Sequence, residues 1–167
     1  VAYLPSPADL PPVTAERPDT HEPVSLPPQD DAPFAALVFK IQTDEYVGRL
    51  AFFRVYSGRI DSGTQVYNVT RGRAERIGQI KAMHANKRED LTFVATGDIA
   101  AAVGMSTVRT GDTLALKKDQ VVLESMAFPE PVISVAIEPK TKADEEKLAN
   151  ALEKLSQEDP TFQVKTD

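Results

Sequence analysis

Nine of the thirteen prolines in this chain fall between Pro5 and Pro33, and the next one is Pro129. Proline holds φ near about −65° and carries no backbone N–H, so a stretch this dense in it cannot build a helix or the interior of a sheet. Residues 1–33 therefore read as a linker, with room for one short strand around residues 24–26. In the proline-free stretch that follows, apolar and polar residues alternate with period 2, and turn residues recur every eight to twelve positions. That pattern predicts a compact β-barrel over residues 34–128, a closed sheet without exposed edges. Ala35, Leu37, Phe39 and Ile41 form one face of the first strand. Ala51, Phe53 and Val55 form the core face of the second, with Arg54 and Tyr56 opposite. Ser57-Gly58 and Asp61-Ser62-Gly63 read as turns, and Thr70-Arg71-Gly72-Arg73 as a hairpin after a strand at 65–69. Residues 94–103 and 121–126 supply further strands.

From Pro129 onward the period changes. Val132-Ile133-Ser134-Val135-Ala136-Ile137 reads as a strand. Thr141 then opens a helix, with Asp144 three residues on as a weak capping box and Asp144, Glu145 and Glu146 at the positive end of the helix dipole. Leu148, Ala151, Leu152 and Leu155 share one face, which reads as core. Pro160 ends the helix, and Phe162-Gln163-Val164 restarts a strand. Residues 129–167 thus read as a βαβ piece, so the fold class is mainly β with an α+β piece at the end. The length of 167 residues suits one full domain and part of another. With no initiator Met and an end inside an apolar-alternating segment, the chain reads as part of a longer protein.

Composition closes several routes to function. There are no cysteines, which removes thiol chemistry, disulfides and cysteine-ligated zinc, and fits a reducing compartment. No window approaches the roughly 20 apolar residues of a membrane span, and no secretory signal opens the chain. His21 in the linker and His84 at a strand end are too few to build a catalytic or metal site. Asp44 with Glu45, and Glu89 with Asp90, are carboxylate pairs, but neighbours on a strand point to opposite faces and read as solvated charge. No Gly-x-x-x-x-Gly-Lys-Ser/Thr loop is present, so the sequence holds no phosphate cradle for a nucleotide. No catalytic, cofactor or metal residues are expected.

A net charge of −6 means that any contact with nucleic acid must be local. The stretch holding Arg71, Arg73, Arg76, Lys81, His84, Lys87 and Arg88 is the best candidate, because mobile cationic tips around a glycine-containing hairpin suit phosphate contacts. The bland alternative is an ordinary solvated strand pair.

Several literal strings go further. Glu138-Pro139-Lys140-Thr141-Lys142-Ala143-Asp144 and Glu158-Asp159-Pro160-Thr161-Phe162 resemble the opening of the third domain of the bacterial elongation factor G family. Tyr46-Val47-Gly48-Arg49-Leu50, Arg54-Val55-Tyr56-Ser57-Gly58, Gly97-Asp98-Ile99 and Thr110-Gly111-Asp112-Thr113-Leu114 fall in the order and spacing of that family's second domain. Tyr3-Leu4-Pro5-Ser6-Pro7 resembles the segment after its GTP-binding domain. The resemblance covers nearly the whole chain.

It implies a translation-factor-type β-barrel followed by the first half of a ferredoxin-like domain. It also implies the ribosomal translocase of protein synthesis as the parent: a cytoplasmic GTPase with GTP and magnesium in a preceding domain, this stretch being a non-enzymatic module that docks on the ribosome and couples its domains. The implied partners are small-subunit ribosomal RNA and protein and the parent's own GTP-binding domain. The related elongation factor Tu uses the loop matching Tyr46-Val47-Gly48-Arg49 against ribosomal RNA. The implied RNA-contact residues are therefore Tyr46, Gly48, Arg49, Arg71, Arg73, Lys87 and Arg88, with Gly48 permitting close approach and Arg49 offering a bidentate phosphate donor. Two alternatives stand beside this reading. One is a related ribosomal GTPase, such as a ribosome-protection protein or a release-factor GTPase, which the third-domain strings disfavour. The other is a stand-alone β-barrel binding module.

Overall fold

A computed structural model describes residues 5–44, 46–84, 87–124, 126, 129 and 131–165. After a 3-10 turn at Pro7–Asp9, the strands are β1 (Val13–Glu16), β2 (Pro23–Leu26), β3 (Ala35–Asp44), β4 (Gly48–Ser57), β5 (Ile60–Asp61), β6 (Gln65–Asn68) and β7 (Arg73–Arg76). There follow β8 (Gln79–His84), β9 (Lys87–Leu91), β10 (Phe93–Val94), β11 (Ile99–Val103), β12 (Thr113–Ala115) and β13 (Val122–Leu123), then one helix, α1 (Lys142–Glu158).

The proline-rich segment is more than a linker. β1 and β2 form an antiparallel hairpin with Ala15 opposite Val24, and β1 also pairs with β13, Ala15 opposite Leu123. Proline is tolerated because Pro23 opens β2, and β2 is the edge of this sheet, where a missing N–H breaks no ladder. Ala15, Leu26 and Leu123 pack with Ala35, Leu37, Val69 and Ala115 in an apolar cluster of their own. Tyr3 and Leu4 lie outside the described residues, as does Ser125 of the strand expected at 121–126, of which only Val122–Leu123 forms a ladder.

The main sheet runs β7-β6-β12-β3-β4-β11-β8-β9, all antiparallel, with β5 paired to β10 beside it. Its two halves meet where the chain passes from β7 to β8: the Gly78 N–H donates to Val103 O at 3.3 Å and Ser62 Oγ to Gly78 O at 3.2 Å. Phe34, Val38, Phe53, Val55, Val66, Ile77, Ile80, Val94 and Leu114 fill the interior. β4 follows the expected alternation, with Ala51, Phe53 and Val55 buried. β3 does not. A bulge between Val38 and Lys40 inserts Phe39, so the interior takes Ala36, Val38 and Ile41, while Ala35 and Leu37 face the second cluster and Phe39 lies outside. An extra residue flips the parity of every side chain after it and sharpens the twist that curls the sheet. The strand expected over 94–103 is split by the Gly97-Asp98 turn, in which the Ala95 N–H donates to Asp98 Oδ2 at 2.9 Å.

Beyond the barrel, residues 132–137 and 162–165 form no ladder among the described residues, contrary to the two strands expected there. A strand needs a partner for its N–H and C=O groups, and none is supplied among the described residues; Val132 and Ile133 are largely exposed. The helix forms as expected and stops before Pro160. Its capping box does not form: Thr141 Oγ1 donates to Asp144 Oδ2 at 2.6 Å instead of accepting from the backbone. Leu148 and Leu152 are half-buried while Ala151 and Leu155 are exposed, so the expected core face is only partly covered. Among the described residues, no helix is long and apolar enough to cross a membrane.

Candidate nucleic-acid interface

The turn between β6 and β7 is the hairpin read from Thr70 to Arg73, with Asn68 opposite Arg73 and Gly72 at φ 64°. Its conformation is set by Asp112, which the β12–β3 and β12–β6 pairings bring beneath it. Asp112 Oδ2 accepts from Asn68 Nδ2 at 2.7 Å, from Arg71 Nε at 2.9 Å and from the Arg109 N–H at 2.8 Å. Asn68 Oδ1 in turn accepts from the Arg71 N–H at 3.1 Å. Asp112 and Asn68 are buried, and a buried carboxylate is tolerated only when donors surround it in this way.

Arg49 departs from expectation. Its Nη1 and Nη2 donate to the carbonyls of Ser106 and Val108, and its Nε is buried without a partner among the described residues. Both donors that would grip a phosphate are therefore engaged, and Arg49 braces the 104–112 loop. Burial pulls its pKa below the usual guanidinium value, opposed by Glu75 and then assisted by Arg109. Glu75, also buried, accepts from Thr107 Oγ1.

These residues line a cleft of about 490 Å³ between the barrel rim and α1, whose wall holds Arg49, Arg71, Arg73 and Arg109 from the barrel and Glu153 and Gln157 from the helix. Four guanidiniums line the cleft against one lining carboxylate, Glu153, so the rim keeps an excess of positive charge. Arg73 and Arg109 are exposed and make no side-chain ion pair among the described residues. The helix is held by its polar edge: Glu158 Oε1 accepts from the Thr43 N–H of β3 at 2.7 Å.

The other sequence-predicted residues form a separate group. Tyr46 tips the β3–β4 turn and is 88% exposed. Gly48 has φ 76° with open space where a Cβ would stand, so its glycine serves the left-handed turn. Arg88 pairs with Asp44, which also accepts from the N–H groups of Tyr46 and Val47 at 2.9 and 3.1 Å. The Tyr46 hydrogen bond, then that of Val47, holds the Asp44 carboxyl below the usual range. Lys87 stands opposite His84 on β9; the side chains of both, and Glu45, lie outside the described residues.

The predicted set is thus divided: Arg49, Arg71 and Arg73 share the cleft, while Tyr46, Gly48 and Arg88 cluster at the β3–β4 turn. Sequence reading missed Arg109 and the role of Asp112. The available signal was an Asp next to Gly at the start of an apolar strand, a position where a carboxylate must find donors.

Comparison with known families matches residues 33–117 to elongation factor G domain 2 and residues 128–167 to elongation factor G, domain III. The chain belongs to the elongation factor G family. A crystal structure of a protein from Thermus thermophilus is 26% identical, with a TM-score of 0.69 over 81% of this chain. This chain spans only 20% of that protein. Two consecutive elongation factor G domains therefore account for the mainly β architecture and the α+β piece after it.

Proposed function

We propose that this chain is the ribosome-docking and coupling segment of a GTP-dependent ribosomal translocase, with GTP and magnesium held by another domain of the parent protein. On this reading residues 1–33 connect to that GTP-binding domain, 34–128 are the docking barrel and 129–167 the coupling piece. The observation that carries it is the basic rim: on a chain of net charge −6, four arginines converge on one cleft between the barrel and the helix of the domain III segment. Local positive charge on an otherwise acidic molecule suits contact with an RNA backbone through one surface and repulsion elsewhere. The buried Asp112 and Glu75 preorganise that surface, so phosphate contacts are made without ordering loops at the moment of binding. Tyr46, Gly48, Lys87 and Arg88 form a second contact area at the β3–β4 side.

The test is a triple variant of the intact factor, Arg49→Glu, Arg71→Glu and Arg73→Glu. Ribosome affinity and ribosome-stimulated GTP turnover fall, and the loss shrinks as salt rises because screening weakens attraction and repulsion alike. Nucleotide affinity without ribosomes stays unchanged. Because Arg49 and Arg71 also brace loops, thermal unfolding is measured alongside, and Arg73→Glu alone serves as the variant whose side chain has no partner among the described residues. Wild-type ribosome binding by both variants at low salt would sink the proposal. The coding sequence upstream of Val1 offers an independent check, since a translocase parent requires a phosphate-binding loop there.

A further inference from the structure

Resting on the RNA-docking reading, we infer that α1 guards the phosphate site: an RNA phosphate enters the cleft against Arg73 and Arg109, and Glu153 of the helix competes for the same place. The wall of the cleft is asymmetric. Its barrel side is cationic, and its helix side carries one carboxylate, Glu153, with Gln157 Nε2 donating to Glu153 Oε1 at 3.3 Å. Among the described residues Glu153 makes no ion pair with any of the arginines, so the carboxylate faces them across open space. A carboxylate in that position imitates the charge of the ligand while repelling it. Of the four arginines, Arg49 is spent on two carbonyls and Arg71 on Asp112, which leaves Arg73 and Arg109 as the donors able to turn to a ligand.

The helix is also poised to leave. Among the described residues its hydrogen bond to the barrel is a carboxylate on a backbone N–H, Glu158 to Thr43, at an exposed position, and its half-buried leucines Leu148 and Leu152 do not enter either apolar cluster. Contacts of this kind are weak in water and open without breaking a core. A phosphate at Arg73 and Arg109 therefore opposes α1 docking through the Glu153 carboxylate, which links occupancy of the barrel rim to the position of the domain III segment.

The experiment uses the 167-residue chain and a fluorescein-labelled RNA hairpin of mixed sequence, followed by anisotropy across a salt series. Arg73→Gln and Arg109→Gln each weaken binding about fivefold and reduce the salt slope by about one, while Arg59→Gln, on an arginine stacked over Phe93 elsewhere on the barrel, does neither. Glu153→Gln tightens binding about threefold. In wild type, added RNA accelerates hydrogen exchange of the Thr43 amide. If Glu153→Gln binds as wild type and Thr43 exchange is unchanged by RNA, the guarding role is overturned while the rim stands. If Arg73→Gln weakens binding but Arg109→Gln does not, the contact lies outside the cleft and the inference fails. No salt-dependent binding by the wild-type chain overturns this inference together with the reading beneath it.

Discussion

Asp112 Oδ2 stands 2.9 Å from Arg71 Nε, and the same oxygen accepts from Asn68 Nδ2 and from the Arg109 N–H. One buried carboxylate thus ties β6, the hairpin after it and the loop before β12 into a single support for the basic rim.

Removing that acceptor leaves an amide, a guanidinium and a backbone N–H without a partner. Asp112→Ala is expected to lower stability by about 2–4 kcal/mol. Arg73→Ala, on an exposed residue of the same hairpin, stays within about 0.5 kcal/mol. Urea denaturation midpoints of the two variants check the contrast, and equal midpoints would show that the network carries no stability.

Gly48 and Gly58 share φ 76° but differ in surroundings. A Cβ on Gly58 would stand 2.6 Å from Ala32 O and from Phe34 Cα, both backbone atoms, whereas one on Gly48 meets nothing within 4 Å. Gly48→Ala therefore costs only the left-handed strain, about 1–3 kcal/mol, and Gly58→Ala costs more because the backbone at Ala32 and Phe34, ahead of β3, must shift as well. Thermal unfolding of both variants measures the difference.

The apolar face of α1 is only half covered, while β4 lies within the main sheet between β3 and β11. Amides of residues 148–155 are expected to exchange faster than those of residues 50–55. Equal protection in a demonstrated monomer would contradict this account.

Asp44 carries an acid-sensitive contribution. Its carboxyl is held below the ordinary value by the Tyr46 and Val47 N–H groups and by Arg88, so the charged form is favoured in the folded state. That stabilisation is fully present above the unfolded carboxyl value of about 3.9 and disappears as pH falls through the lower folded value. Below about pH 4 the Tyr46 and Val47 amide resonances are expected to move together as Asp44 protonates, and in Asp44→Asn that movement is lost.

The alternation of β4, the glycine turns and the α1 boundaries were legible because each depends on residues close in sequence. The divided fate of the basic residues was not. Arg71 and Arg73 sit two positions apart on one hairpin and are both exposed, yet one is held by a carboxylate 41 residues away and the other makes no ion pair among the described residues. No local pattern encodes that distinction.

Local chemistry alone therefore determined strands such as β4, the glycine turns, the helix and the family strings: backbone geometry at proline and glycine, and the alternation of side chains, act within a few residues. Only the tertiary structure decided that residues 13–26 form a paired hairpin, that Phe39 bulges outward, and that Arg109 joins Arg73 at a cleft faced by Glu153. Each of these depends on which distant strands pair, and pairing is settled by burial and hydrogen-bond satisfaction across the whole sheet.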